Sequence, residues 1–174
     1  MPGPTPTPIP RFQVVPAAYV YLRRGDEVLL QLRRNTGYMD GHWAAAAAGH
    51  VEPGEDVITA ALREVTEELG VVVAEEDLTP LTALHRTDGT LAPIEQRVDL
   101  MYSCVRWQGE PAPQEEEKNE RIEWFPLTGL PKMPPHERFV LERLAAGTLR
   151  AIESFGWREG EATAGLYSRD PHTA

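Results

Sequence analysis

The hydrophobic pattern of the first third of the chain predicts a β-hairpin followed by a loop. Apolar, β-branched and aromatic residues dominate residues 12–24, FQVVPAAYVYLRR, and a turn follows at Gly25 and Asp26. Residues 27–34, EVLLQLRR, predict the returning strand, and residues 35–43, NTGYMDGHW, are rich in turn formers. The alanine run after this loop is too short to be a helix on its own, so we interpret it as a buried strand.

The next segment has the pattern of an amphipathic helix from Asp56 to Leu69, with a capping residue at its start and Gly70 at its end. Its apolar residues fall on one side at about 100° per residue, and they are Val57, Ile58, Ala61, Leu62, Val65 and Leu69. Residues 134–147 predict a second helix, and the segments compatible with strands are 71–73, 78–87, 96–107 and 121–127. Strands and helices alternate without a regular rhythm, which favours a mixed sheet with helices on its faces.

The length of 174 residues predicts one domain with tails. We expect a proline-rich, disordered lead-in at 1–11, a folded domain at 12–157 and a C-terminal tail at 158–174. No apolar run approaches the roughly 20 residues that span a bilayer, and the N-terminus has neither the basic start nor the apolar stretch of a signal peptide. We therefore expect a cytoplasmic protein with no membrane partner.

Composition narrows the possible functions. A formal net charge of -10 argues against a protein that binds long nucleic acid, because such binding needs a basic surface. A small phosphorylated substrate remains compatible, since a bound metal and a few arginines can meet its charge locally. The single cysteine, Cys104, excludes an internal disulfide and a cysteine-based zinc cluster.

The predicted first helix carries the candidate chemistry. Glu64, Glu67 and Glu68 have i, i+3, i+4 spacing, so their carboxylates lie within about one turn of one another. No lysine lies between them to reduce the repulsion among the three carboxylates, and a bound divalent cation is the simplest way to relieve it. Hard oxygen ligands suit Mg²⁺ or Mn²⁺. The alternative interpretation is a solvated acidic helix face, which is the usual meaning of a block of like charge.

A longer motif decides between these interpretations. Residues 49–71, GHVEPGEDVITAALREVTEELGV, resemble the signature of the Nudix hydrolases, G-x5-E-x7-R-E-U-x-E-E-x-G-U, in which U is apolar. The identities are filled by Gly49, Glu55, Arg63, Glu64, Glu67, Glu68 and Gly70, and the apolar positions by Val65 and Val71. The resemblance implies an α/β fold, namely an α/β/α sandwich around a mixed β-sheet.

The resemblance also implies roles for these residues. Glu64, Glu67 and Glu68 would hold Mg²⁺ or Mn²⁺, and one of them would take a proton from the attacking water. Arg63 would pair with Glu55 and so anchor the loop to the helix. Ala48, beside Gly49, would bring a backbone carbonyl to the metal. The implied reaction is attack of water on a phosphorus atom of a nucleoside diphosphate linked to a variable group.

The segment just before the motif departs from the common family pattern. Where many members have Leu-Pro before the first glycine, this chain has only alanine, and WAAAAAGHV is more similar to isomerase-like members. The isoprenoid isomerase branch depends on a reactive cysteine in an upstream strand, and no cysteine precedes Cys104. The sequence therefore favours the hydrolase branch.

A second local resemblance concerns the substrate. Residues 115–124, EEEKNERIEW, resemble a stretch found in Nudix enzymes that cleave nucleoside triphosphates. It makes Glu117 a candidate additional metal ligand or base, with Glu115 in reserve, and Lys118 a candidate phosphate contact. A solvated charged loop is the competing interpretation.

Further candidates for substrate contact are arginines and aromatic residues. The candidate phosphate contacts are Arg33 and Arg34, at the end of a predicted strand, and Arg86 and Arg97, in later predicted strands. Tyr38, Trp43 and Trp124 are candidates for stacking on a base.

The predicted function is hydrolysis of a nucleoside triphosphate to the monophosphate and pyrophosphate. The alternatives are ADP-ribose, a nucleotide sugar or a dinucleoside polyphosphate as substrate, and, in another class, a Nudix-like binding or regulatory module without catalysis. The sequence leaves a homodimer open.

Overall fold

A computed structural model describes residues 11–114, 117 and 119–161. These described residues form eight strands and two α-helices. The strands are β1 (Val15–Arg24), β2 (Glu27–Arg33), β3 (Trp43–Ala45), β4 (Ala47–His50), β5 (Thr79–Arg86), β6 (Arg97–Cys104), β7 (Asn119–Pro126) and β8 (Ile152–Phe155). The helices are α1 (Val57–Leu69) and α2 (Pro135–Ala145), and single 3₁₀ turns lie at Glu75–Asp77 and Pro93–Glu95.

Strand β1 lies at the centre of the sheet. It pairs antiparallel with β4 and parallel with β6, and β6 continues antiparallel to β5, which pairs parallel with β8. At its C-terminal end β1 also pairs with β2, which pairs antiparallel with β3 and β7. The sheet is therefore mixed, as the element pattern predicts.

Each face of the sheet is covered by one helix because side chains along β1 alternate between the faces. Ala18, Val20 and Leu22 belong to the apolar cluster that includes the buried side of α1. Ala17, Tyr19 and Tyr21 belong to the opposite cluster, which includes Val140 and Leu141 of α2. This arrangement is an α/β/α sandwich, so the predicted fold class is confirmed.

Most predicted elements are present, with three differences. The alanine run is divided between β3 and β4, because the chain changes partner from β2 to β1 around Ala46. The prediction of a strand at residues 71–73 is wrong, because the pairing of this segment is limited to one isolated bridge between Val72 and Gln108. Strand β8 has no strong hydrophobic pattern and was not predicted. Within the described part of the chain, no helix is long and apolar enough to cross a membrane.

Candidate active site

Helix α1 is bounded by the residues that the sequence indicated. The Asp56 carboxylate accepts hydrogen bonds from the backbone amides of Ile58 (2.8 Å) and Thr59 (3.0 Å), which satisfies amide groups at the first turn. Gly70 ends the helix in the left-handed conformation, with φ of 68°. The loop of residues 51–56 joins β4 to this helix and brings Glu55 close to its second turn.

Arg63 connects this loop with the carboxylates of the helix. Its guanidinium donates to both oxygens of Glu55, at 2.7 and 3.1 Å, and to the backbone carbonyl of His50 at 3.2 Å. Its Nη1 donates to Glu64 Oε1 at 2.7 Å and to Glu67 Oε2 at 3.0 Å. One guanidinium therefore neutralises part of the repulsion between carboxylates.

Burial and these hydrogen bonds affect the two neighbouring carboxylates differently. Burial raises the pKa of Glu64, and the hydrogen bond from Arg63 only partly opposes it. The partly buried Glu55 carboxylate has a lowered pKa, chiefly because Arg63 donates to it. Additional positive charge beside Glu64 therefore favours its ionised form.

The strand before the loop is in direct contact with the same carboxylates. The Ala48 amide donates to Glu68 Oε2 at 2.8 Å. A Cβ atom on Gly49 would overlap the Glu64 carboxylate, so glycine is required at this position as long as Glu64 keeps its place. The backbone of Ala48 and Gly49 therefore forms one wall of the carboxylate cluster.

The carboxylate oxygens of the cluster suit a hard divalent cation. In this structure, however, they do not converge on one point. In the described ranges, no three His, Cys, Asp or Glu side chains are grouped so as to hold a metal. Arg63 lies between Glu64 and Glu67 and contacts both. The oxygen-only donors and the raised pKa of Glu64 nevertheless fit Mg²⁺ or Mn²⁺, provided that these Arg63 contacts are exchanged for the cation.

A cleft of about 440 Å³ adjoins the carboxylate helix through Ala48 and His50. Its volume lies toward the lower end of the roughly 300–1,000 Å³ that is typical of ligand clefts. Its other lining residues come from β1, the end of β2 and the loop after it, β3, the 3₁₀ turn at Pro93–Glu95, β6 and the start of α2. They are Tyr19, Arg33, Thr36, Gly37, Tyr38, Ala44, Ala45, Glu95, Arg97, Pro134, His136 and Glu137. The cleft is thus assembled from segments that are distant in sequence.

Two arginines line this cleft. Arg33 donates from Nε to the Tyr38 carbonyl and from Nη2 to Thr36 Oγ1, both at 3.1 Å, and so holds the loop after β2. Arg97 Nη1 lies 2.9 Å from His50 Nε2, and its Nε donates to Asp99 Oδ1 at 3.3 Å. Arg97 therefore connects the cleft to the residue that follows Gly49.

The other predicted arginines lie elsewhere. Arg86 is buried in an ion pair with Asp99 and does not line the cleft, so its prediction as a direct phosphate contact does not fit its position. It instead helps hold Asp99, which in turn contacts Arg97. Arg34 is exposed and is not part of the cleft lining.

Glu117 lies in an exposed turn. Its carbonyl accepts from Asn35 Nδ2 at 3.1 Å, and three residues earlier the Gln114 amide donates to the Glu68 carbonyl at 3.0 Å. The chain is therefore attached to the carboxylate helix at Gln114. Lys118 and Glu115 lie outside the described residues.

Of the three aromatic candidates, only Tyr38 lines the cleft. Trp43 is buried edge to face against Phe125, with ring centroids 4.6 Å apart, and Trp124 stacks on Trp107 at 6.1 Å. Both tryptophans pack against the apolar clusters, so their prediction as base-stacking residues is not supported.

Sequence reasoning missed two buried polar residues of the cleft, His136 and Glu137 in the first turn of α2. The Tyr21 hydroxyl and the Ala45 amide both donate to Glu137 Oε2, at 3.1 and 2.7 Å. Burial raises the pKa of Glu137 to about 7 and lowers the pKa of His136 well below its usual value. The only sign of this in the sequence was that Glu137 lies on a helix face that also carries core residues.

Comparison with known proteins assigns the family. The NUDIX domain model matches residues 13–144. The NAD-capped RNA hydrolase NudC of Pseudomonas aeruginosa is 36% identical over 119 residues, which are 68% of this chain and 38% of that protein. An isopentenyl-diphosphate Delta-isomerase of Rhodobacter capsulatus is 34% identical over 117 residues, 66% of this chain and 65% of that protein.

A solved structure agrees with this assignment. The MutT NUDIX hydrolase from Burkholderia pseudomallei superposes with a TM-score of 0.66 and 28% identity, covering 76% of this chain and 98% of the other. The chain belongs to the Nudix hydrolase family, and the prediction of the family is confirmed. It spans less than half the length of the NudC proteins that it matches, and its relatives differ in the reactions that their names describe.

Proposed function

We propose that the chain is a divalent-metal-dependent pyrophosphohydrolase that converts nucleoside triphosphates to the monophosphate and pyrophosphate. The observation that carries this proposal is the cleft, which contains Arg33 and Arg97 and adjoins the carboxylates of α1 through Ala48 and His50. A polyphosphate needs both features, because cationic side chains balance its charge and a metal site activates water beside it.

The motif of residues 49–71, which we call the box, supplies most of the residues of the proposed site. Glu64, Glu67 and Glu68 would hold Mg²⁺ or Mn²⁺ together with the Ala48 carbonyl, and Glu117 is the candidate additional ligand. When bound, the metal polarises the phosphoryl oxygens and lowers the pKa of the attacking water. Arg63 and Glu55 fix the loop against the helix through a bidentate ion pair. Which glutamate accepts the proton of the water stays open.

Arg97 is the phosphate contact that the structure favours most. It lines the cleft next to His50, whereas Arg33 also lines it but holds the loop carbonyl of Tyr38. The Asp99 carboxylate and the His50 ring fix the Arg97 guanidinium from two sides. An arginine held in this way loses little rotamer freedom when it binds a phosphate oxygen.

The size of the cleft bears on the alternatives. A cleft of about 440 Å³ suits one nucleoside with its phosphates better than two nucleosides. A dinucleotide diphosphate is the second candidate, because the NudC relatives are NAD-capped RNA hydrolases by name. The isomerase relative gives less guidance on the reaction. The isoprenoid isomerase branch depends on a reactive cysteine in an upstream strand, and no cysteine precedes Cys104 in this chain.

A substrate panel tests the proposal. Nucleoside triphosphates, NAD, ADP-ribose, nucleotide sugars and dinucleoside polyphosphates are each incubated with the protein and Mg²⁺, and the products are separated by ion-exchange chromatography. We expect triphosphates to give the highest kcat/KM. If NAD exceeds every triphosphate by about tenfold or more, the dinucleotide diphosphate replaces the triphosphate as the proposed substrate. The same result with ADP-ribose or a nucleotide sugar would favour that alternative instead.

Metal dependence is tested on the same reaction. Dialysis against excess chelator should abolish turnover, and Mg²⁺ or Mn²⁺ should restore it. Full turnover in chelator contradicts the metal assignment. Binding of nucleotides without hydrolysis of any member of the panel would instead favour a regulatory module.

A further inference from the structure

Three charged side chains are buried together on strands β5 and β6. Asp99 is 0% exposed, Arg86 6% and Arg97 9%. Arg86 and Arg97 are directly opposite each other in the antiparallel β5–β6 pair, where two like charges repel. Asp99 follows Arg97 by two positions, so its side chain is on the same face of β6. The carboxylate therefore lies where it can reduce the repulsion between the two arginines.

The Asp99 carboxylate is shared between the two arginines. Its Oδ2 accepts from Arg86 Nε, and its Oδ1 accepts from Arg97 Nε at 3.3 Å, which is long for such a hydrogen bond. Arg97 also lies with Nη1 2.9 Å from His50 Nε2 and lines the cleft, whereas Arg86 does not. Two cations and one anion leave a surplus of one positive charge. Because Asp99 is bonded to Arg86, this surplus is available at Arg97, on the cleft side.

The charge of Arg86 acts in the cleft although its side chain does not line it. Burial raises the pKa of Tyr38, a cleft residue, and the positive charge of Arg86 is the largest effect in the opposite direction, ahead of that of Arg97. Glu95 and Glu137 act in the same direction as burial, against the arginines. Removal of Arg86 therefore changes the electrostatic potential at the place where a ligand binds.

Arg86 also determines how Asp99 affects Arg97. Without Arg86, the buried Asp99 carboxylate needs another cation, because an unpaired buried charge is costly. Arg97 is already in contact with this carboxylate, and a guanidinium and a carboxylate readily form a bidentate pair. Such a pair would cancel the charge of Arg97 on the side of the cleft.

We propose that Arg86 is a positioning residue of the phosphate subsite, the part of the cleft next to Arg97: it neutralises Asp99 and so keeps the charge of Arg97 available for a phosphate group. Arg86 itself does not contact the substrate. Asp99 holds Arg97 as a hydrogen-bond acceptor, while its negative charge opposes the binding of an anion. The inference rests on the proposed function, in which Arg97 contacts a phosphate group of the nucleotide.

Inorganic pyrophosphate is the probe, because it carries phosphate groups without a base and its binding is measured without any reaction. Titration calorimetry is done at pH 7 with metal removed by a chelator. The carboxylates of α1 repel pyrophosphate under these conditions, so its binding reports on the arginines of the cleft. The unmodified protein should bind it measurably, and Arg97→Gln should weaken this binding about tenfold or more.

Three variants separate the effect of charge from that of packing. Arg86→Gln leaves Asp99 to pair with Arg97 and should weaken pyrophosphate binding about tenfold. Asp99→Asn keeps an acceptor for Arg97 Nε and removes the negative charge, so it should tighten binding about threefold. The double variant of Arg86→Gln and Asp99→Asn has the net charge of the unmodified protein, and its affinity should return to within about twofold. A purely structural role of the pair predicts weaker binding in Asp99→Asn and no recovery in the double variant.

Two controls accompany these variants. Arg150 also contacts a buried carboxylate, that of Glu153, away from the cleft. Arg150→Gln removes the same charge as Arg86→Gln and should change pyrophosphate affinity by about twofold or less. In the Arg97→Gln background, Arg86→Gln should likewise have an effect of about twofold or less, since Arg86 acts through Arg97. The melting temperature and circular dichroism of each variant establish that it is folded.

Every outcome bears on the inference. Weaker or unchanged binding in Asp99→Asn overturns it, as do undiminished affinity in Arg86→Gln, no recovery in the double variant, or no measurable binding to the unmodified protein. If Arg86→Gln does not fold, Asp99→Asn and the double variant decide, because a structural role does not predict tighter binding in Asp99→Asn. Hydrolysis of triphosphates would stand if the inference failed. The expected affinity pattern without hydrolysis would leave the phosphate subsite standing and refute the proposed function.

Discussion

The two sides of the cleft are assembled in different ways. On the box side, contacts join residues that are close in sequence, such as Arg63 with Glu55, eight positions apart. On the α2 side, Glu137 is held by Ala45 and Tyr21, which are 92 and 116 positions away. The chemistry of the box is therefore encoded locally, whereas the α2 side exists only after the sheet and both helices have packed.

The two sides also differ in the groups that stabilise the negative charge of their carboxylates. Glu64 and Glu67 share the positive guanidinium of Arg63, and Glu55 is kept ionised by it. Glu137 has only neutral hydrogen-bond donors, and its pKa is raised to about 7. The carboxylates of the box side are therefore suited to exchange one cation for another, whereas burial at Glu137 favours the protonated carboxyl group.

The largest expected effect is on the box side. Glu67→Gln and Glu68→Gln should each lower kcat by about 100-fold or more, because each variant removes a metal-binding charge and keeps the shape. Glu76→Gln, at an exposed position in the 3₁₀ turn after α1, is the control and should keep kcat. Wild-type turnover of both variants on a good substrate would show that the helix is not the catalytic site.

A backbone change on the same side should be almost as damaging. In Gly49→Ala the new methyl group overlaps the Glu64 carboxylate, which has to move. We expect a fall in kcat of about 10 to 100-fold and weaker Mg²⁺ binding by calorimetry, since misplacement of a ligand by about 1 Å is this costly. Gly129→Ala is the control because its new atom meets only Pro126, at 3.2 Å. Equal kcat in the two variants contradicts the tight fit at Gly49.

The contrast explains what the sequence predicts well. The hairpin, both helices and the mixed sheet follow from local periodicity and turn residues, and the fold class followed from the box. Asp56 and Gly70 could be recognised as helix ends because capping depends on neighbouring residues. The strand at 71–73 was overpredicted because three valines favour a strand only where a partner strand is available.

The parts that sequence could not predict depend on tertiary packing. Trp43 and Arg86 had the residue types of a binding site, yet one packs on Phe125 and the other is buried against Asp99. Glu137 had the residue type of a surface helix and is buried instead. No periodicity indicates that a helix turns a charged residue toward a cleft, because this depends on where β1 and β3 lie.

A smaller effect is expected from the pair that anchors the loop. Arg63→Lys keeps the charge but loses the bidentate contact with Glu55, so kcat/KM should fall about tenfold. Arg150→Lys is the matched control, because Arg150 also contacts Glu153 through two nitrogens, away from the cleft. It should leave kcat/KM unchanged. An unchanged rate in Arg63→Lys would show that charge alone anchors the loop.

The smallest effect concerns the α2 side and is visible in the free energy of unfolding. The pKa of Glu137 is raised from its usual 4.5 to about 7, mainly by burial, against the hydrogen bonds of Ala45 and Tyr21 and the charges of Arg33 and Arg86. The folded state thus binds the proton more tightly than the unfolded state. The stability that this protonation contributes is present below pH 4.5 and is lost as the pH rises through about 7.

Glu137→Gln removes this titration. Between these two pH values the unfolding free energy of the unmodified protein should fall relative to that of the variant, by on the order of 1 kcal/mol per pH unit. Urea unfolding of both proteins at a series of pH values measures the difference. Parallel profiles for Glu137→Gln and the unmodified protein would mean that Glu137 keeps an ordinary pKa. The negative charge of Glu137 would then be stabilised by its surroundings as well as the charges of the box carboxylates are.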